Sequence, residues 1–155
     1  MLNTRFFLQT PEHTHRAGFW LGQHCVPPLF IGLNGNLGAG KTALSQGFAR
    51  GLGITERVTS PTYNLLSVYE GPRGMLYHLD IYRLQSIEAV FDLDLESALD
   101  TPSIILMEWK NKFDGWELGM PELDITLEHA ETGRWITLKS PHLPPHFAAS
   151  LQEAL

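Results

Sequence analysis

The chain has 155 residues, 43% of them hydrophobic and 18% charged, a composition that suits one well-buried core and excludes a disordered chain. Its formal net charge is −6, with 11 Lys and Arg and no dense basic run, which excludes the electrostatic footprint of a dedicated nucleic-acid binder. No apolar stretch approaches the roughly 18 residues of a membrane span.

The N-terminal segment MLNTRFFLQTPEHTH lacks the apolar core and small-residue cleavage site of a signal peptide. Within it, Arg5–Gln9 reads as a short aromatic strand. Thr14 is placed to cap a helix running to about His24, stopped by Pro27 and Pro28. Cys25, the sole cysteine, can make no internal disulfide, so a reducing cytoplasm is the expected setting. Leu29–Leu33 is a continuous apolar run bounded by Pro-Pro and Asn-Gly, as a fully buried strand would be. After a cluster of glycines, Leu44, Phe48 and Leu52 recur at helical spacing, and Gly51 and Gly53 offer a stop.

Tyr63–Tyr69 and Met75–Ile81 read as strands around a turn at Gly71–Gly74. Ser86–Leu99 mixes acidic and apolar residues and predicts one or two short helices. Ser103–Met107 is a second buried strand, ending on Glu108. The segment LDITLEHAETGRWITLKS alternates on either side of Thr132-Gly133 and predicts a hairpin. A Pro-rich linker then leads to Phe147, Leu151 and Leu155 on one helical stripe. No repeat or second domain is visible, so residues 1–155 are expected to form one domain with a tail from about residue 141.

Gly35–Thr42 fits G-x-x-x-x-G-K-[ST] without a gap. In a turn between a buried strand and a helix N-terminus, backbone N–H groups converge on an anion, and side chains would block that approach. This is a phosphate-binding loop. Lys41 would reach the terminal phosphates of a nucleotide, and the Thr42 hydroxyl would ligate magnesium. Asn36, Gly38, Ala39, Gly40 and Ala43 complete the expected cradle. The fold class that follows is α/β of the P-loop NTPase type, with a largely parallel central sheet flanked by helices and a C-terminal antiparallel hairpin.

Such a loop fixes the nucleotide but not the reaction, which also needs an acid at the metal and a group that orients the attacking oxygen. Asp80 and Glu108 both sit late in, or just after, apolar strands, where ligands of open α/β sheets collect. His78 shares a strand face with Asp80; it reads as a packed core histidine, with a metal ligand as the other option. In VTSPTYNLL, Pro61 stiffens a loop offering the Thr59, Ser60 and Thr62 hydroxyls, the kind of segment that reads a γ-phosphate in nucleotide switches.

Together, GNLGAGKTALSQGFARGLGI, VTSPTYNLL, YHLDIYRL and LMEW resemble, in order and spacing, the TsaE (YjeE) family of small bacterial ATPases. The resemblance spans about three quarters of the chain, from Thr14 to the hairpin near Arg134. It implies ATP and Mg2+ as cofactors, with Lys41 and Thr42 on phosphates and magnesium, Asp80 in the metal shell, and Glu108 as second acid near magnesium or the attacking water. It implies further that Thr62 belongs to a switch-like loop, that Trp109 lies beside the nucleotide, and that Thr14 and Arg134 border it. The implied activity is weak ATP hydrolysis in support of threonylcarbamoyl-adenosine modification of tRNA. The implied partners are TsaB and TsaD, tRNA being met only indirectly. Two departures stand out: where the family loop commonly reads G-D-L-G-A-G-K-T-T, this chain has Asn36 and Ala43. Binding should survive both, with altered metal affinity or turnover.

Three other readings compete. Asn111–Asp114 spells N-K-F-D after a strand, as in guanine recognition, but no D-x-x-G accompanies it. A small-molecule kinase shares the loop, yet only Arg83 and Arg134 are available for an arginine-bearing lid. A nucleotide-dependent adaptor is the third, with EAVFDLDLES or the C-terminal stripe as docking surface and, against that, a solvated face or a helix on its own core.

Overall fold

Thr10, and not Thr14, opens the first helix. In a computed structural model describing residues 1–61 and 65–155, the Thr10 hydroxyl accepts from the His13 N–H at 3.2 Å. Pro11 takes the first helical position, where its missing N–H costs nothing. Helix α1 then runs Pro11–His24, and Thr14 is buried inside its first turns. Proline at N1 outcompetes a later threonine because it fits only at a helix start.

The remaining elements follow the expected order with shifted ends. Strand β1 spans Leu2–Leu8, β2 Leu29–Asn34 and helix α2 Lys41–Gly51. Strands β3 (Leu66–Gly71) and β4 (Gly74–Asp80) form the first hairpin. Of the strand expected at Tyr63–Tyr69, the described part begins at Leu66, and Tyr63 lies outside the described residues. Two five-residue helices, α3 (Ile87–Phe91) and α4 (Glu96–Asp100), precede β5 (Ser103–Glu108). Strands β6 (Glu122–His129) and β7 (Arg134–Ser140) make the second hairpin, and α5 (His146–Ala154) ends the fold.

One seven-stranded sheet results, in the order β1-β7-β6-β2-β5-β4-β3. Its centre is parallel: β2 pairs with β6 and β5, and β5 with β4. The outer pairings, β1–β7, β6–β7 and β3–β4, are antiparallel. Every residue of β2 and β5 is buried, as a strand covered on both faces requires.

Alternation along β2 and β5 sends side chains into two cores. Ile31, Leu33, Ile104 and Leu106 enter one with Leu21 of α1, Leu44 and Phe48 of α2 and Leu151 of α5. Phe30, Ile105 and Met107 enter the other with Val90, Leu95 and Ala98. The C-terminal stripe is thus spent inward: Leu151 is buried, and Phe147 and Leu155 pack on the first core.

Helices α1 and α2 meet main chain to main chain. A Cβ added at Gly18 would lie 2.2 Å from the Leu44 carbonyl oxygen, and one at Gly22 2.1 Å from that of Phe48. Reciprocally, a Cβ at Gly47 would lie 2.0 Å from the His15 oxygen, and one at Gly51 2.2 Å from that of Phe19. Gly51, expected only as a stop, is therefore also a contact surface.

Candidate functional site

The glycine turn between β2 and α2 is built as a cradle. Gly38 and Gly40 have φ of +78° and +106°, backbone that favours glycine. A Cβ at Gly35 would sit 2.7 Å from the Leu127 oxygen, so the turn is pressed onto the end of β6. The Lys41 ammonium donates to the Gly35 carbonyl and, at 3.3 Å, to that of Asn36. It also lies 4.3 Å from the centre of the Trp109 ring, a cation–π contact. Burial pulls this lysine below the ordinary lysine range, and Glu108 and then Asp80 oppose the shift.

Across from the loop stand the two acids. Strand register sets Asp80 beside Glu108 and Glu108 beside Leu33, at the carboxyl ends of β4, β5 and β2. Burial pushes the Asp80 carboxyl above the ordinary aspartate range, although the Tyr82 N–H donates to its Oδ1 at 3.0 Å. The Thr42 hydroxyl is 3.2 Å from the Ser60 hydroxyl, which donates in turn to Glu108 Oε2 at 3.5 Å. Gln46 of α2 anchors this segment by donating to the Val58 carbonyl at 3.0 Å. On the far side, His78 Nε2 lies 2.7 Å from the same Glu108 oxygen.

A cleft of about 460 Å³ gathers Gly38, Gly40, Lys41, Thr42, Ser60, Asp80, Glu108 and Trp109, with Leu65, Tyr82 and Arg83 on its wall. Leu65 and Trp109 have φ of 59° and 64°, the positive-φ non-glycine residues among the described ones, and both line it. Left-handed backbone costs such residues about 1–2 kcal/mol each, and strain of this kind concentrates at functional sites. A smaller cavity of about 100 Å³ lies on the other side of Gly40 and takes in Thr10, Thr14, Ala43 and Arg134. Arg134 braces the loop, donating through Nε to the Ala39 carbonyl at 3.2 Å and through Nη2 to that of Gly38 at 3.1 Å.

The sequence-predicted residues thus divide between the two cavities. Asn36 contributes its carbonyl to the loop, which also accepts from the Ala39 N–H at 3.0 Å. Ala39 is itself buried, and Thr62 lies outside the described residues. The N-K-F-D residues Asn111 and Asp114 line a third cavity, apart from both. Sequence reasoning weighed the Ser60 hydroxyl only as one of three and took His78 for core packing. The period-two spacing of His78 from Asp80 was legible in sequence, but its partner Glu108 lies on a neighbouring strand and was not. Among the described residues no three of His, Cys, Asp and Glu converge as a metal site, and no helix is long and apolar enough to cross a membrane.

Residues 8–136 match the family model of the threonylcarbamoyl adenosine biosynthesis protein TsaE. The tRNA threonylcarbamoyladenosine biosynthesis protein TsaE of Nostoc sp. is 42% identical over 113 residues, 70% of this chain and 69% of that protein. The protein of the same name from Treponema pallidum is 37% identical over 119 residues, 77% of this chain and 85% of its own length. The crystal structure of Bacillus subtilis YdiB superimposes with a TM-score of 0.73 at 27% identity, covering 97% of this chain and 92% of that one.

Proposed function

Since the chain belongs to the TsaE family of threonylcarbamoyl adenosine biosynthesis proteins, we propose that it binds ATP with magnesium at the phosphate loop and hydrolyses it. That turnover would support tRNA threonylcarbamoyl-adenosine modification by acting on a TsaB–TsaD pair, in the cytoplasm. The observation that carries this reading is one cleft holding the glycine cradle, Lys41, the Thr42 hydroxyl and both acids.

The donor set suits the ligand. Magnesium prefers hard oxygens and is commonly held by one or two carboxylates, a hydroxyl and the phosphates themselves, so the lack of a three-residue cluster is no obstacle. Thr42, Asp80 and Glu108 are the residues that would hold it. The bound ion supplies charge neutralisation at the phosphate oxygens. The backbone N–H groups at the start of α2 bind the phosphates, helped by the positive end of the helix. Lys41, itself buried and kept close by the loop carbonyls, adds a charge that water screens little. Glu108 accepts a hydrogen bond from the attacking water and orients it, so catalysis is positioning and charge stabilisation. Thr14, Ala43 and Arg134, around the small cavity beside Gly40, border the nucleotide, Trp109 lies beside it, and Thr62 belongs to the switch-like segment.

The two loop departures fit retained binding. Position 36 works through its carbonyl, which asparagine supplies as well as aspartate, and Thr42 keeps the metal-side hydroxyl despite Ala43. Calorimetry with ATP and ADP, with and without magnesium, tests binding. Phosphate release with and without TsaB and TsaD tests turnover, and stimulation by the pair is expected. Uptake of no nucleotide by folded protein would overturn the reading.

A further inference from the structure

His78 and Glu108 project from neighbouring strands, β4 and β5, into the sheet end that faces the cleft. The side chains are 1% and 3% exposed, with Nε2 and Oε2 2.7 Å apart. A carboxylate so far from water is costly unless donors satisfy it. Among the described residues, both donors at Glu108 reach the same oxygen: His78 Nε2 and, at 3.5 Å, the Ser60 hydroxyl. Nδ1 of His78 is buried and finds no hydrogen-bond partner among the described residues. The ring therefore has one polar engagement, and it is with Glu108.

That asymmetry has a chemical use. His78 holds Oε2 from the neighbouring strand while Ser60, which lines the cleft, meets the same oxygen, and together they restrict the carboxyl group and leave Oε1 available to a ligand. A carboxylate on a single strand-end side chain otherwise rotates about its terminal torsion, which is broad. Partners behind a ligand matter in this way at metal centres generally, where losing one costs about 10–100-fold in affinity or activity.

We propose that His78 is a positioning residue: it clamps Oε2 of Glu108 from behind so that Oε1 is presented to the magnesium or water of the cleft. The inference rests on the ATPase reading for its consequence, but not for the hydrogen bond itself.

The test compares His78→Leu, which removes the donor, with His78→Gln, which restores an N–H donor at similar reach. Turnover is measured with the partner pair present, and magnesium-dependent ATP affinity by calorimetry. His78→Leu should lower kcat about 10–100-fold with KM for ATP changed less than about threefold, the pattern of a lost transition-state interaction. The magnesium-dependent part of ATP affinity should move by no more than that same factor of about three, and the magnesium-free part not at all. His78→Gln should recover most of the lost kcat. Proton NMR on the nucleotide-free protein gives a readout outside activity: an exchange-protected His78 Nε2–H, lost in Glu108→Ala.

Folded His78→Leu with wild-type kcat overturns the proposal, as does His78→Gln no better than His78→Leu. If His78→Leu does not fold, His78→Gln decides, near-wild-type turnover supporting the clamp and a folded but inactive protein overturning it. If neither variant folds, an unprotected Nε2–H in the wild type overturns it and a protected one supports it. A wild type that takes up no nucleotide instead sinks the ATPase reading, and this consequence with it.

Discussion

On one face of the sheet, α1 and α2 touch backbone to backbone through four glycines, and α5 closes over the outer strands. On the other, two five-residue helices and the segment after β5 do the covering, and Phe91, Leu99 and Tyr82 stay half exposed. The site draws on both. Its phosphate grip grows from the tight face, where α2 begins, while Tyr82, Arg83 and Trp109 come from the thin one. The difference separates what must be rigid from what can yield: the grip is fixed by contacts that admit no side chain, the opposite wall by short elements with little behind them.

The largest effect should come from breaching the tight face. Gly47→Val places carbon atoms where the His15 oxygen stands, so it should cost upwards of about 4 kcal/mol and leave little folded protein, read by thermal denaturation. Next, Lys41→Ala should weaken ATP binding by at least about 100-fold, since a charge-assisted contact from a buried lysine is lost. Its melting temperature should not fall, because that ammonium is already disfavoured by burial. Calorimetry and a melt on the same sample check both halves.

Glu108→Ala should retain ATP binding and lose about 100-fold in partner-stimulated hydrolysis, as loss of a positioned proton acceptor does. A variant that turns over normally would refute the role given to this acid. Smaller still is Asp80→Asn. The Asp80 carboxyl is raised in the folded chain, so the folded state holds its proton more tightly than the unfolded one. Its stabilising contribution is full below the ordinary aspartate range and is lost as pH rises through the raised value. At neutral pH, removing the charge should therefore raise the melting temperature by about 1–3 °C. The advantage should disappear below pH 4 or so. Last, Phe91→Ser on the thin face should move stability by less than about 0.5 kcal/mol. A cost as large as that of Gly47→Val would erase the contrast between the faces.

The tight strand–loop–helix unit was the most legible part of the sequence. A continuous apolar run, three glycines and an amphipathic helix can satisfy their backbone and apolar demands together in few ways. The acids were legible because a carboxylate closing an apolar strand lies at the carboxyl end of the sheet, where ligands of such sheets collect. The helix start was misplaced because a capping hydroxyl was weighed without the proline beside Thr10. Both antiparallel hairpins were legible from their turns, whereas the place of β1 needed its pairing with β7, a contact across nearly the whole chain. Least legible was the glycine seam: Gly18, Gly22 and Gly47 lie unremarkably inside the expected helices, and Gly51 reads only as a stop. Only their facing partners reveal them as a main-chain contact between two helices. His78 was hidden for a related reason, since its partner lies on another strand.

That seam also limits how the molecule can move. Two rods with no cushion of side chains between them cannot slide or roll without driving an oxygen into a Cα. Helix α1, the entry to α2 and the phosphate loop that leads into it from β2 behave as a single casting. Any closing over a guest must be made by the opposite wall, and a device that grips must do its travelling with the hand that carries no anvil.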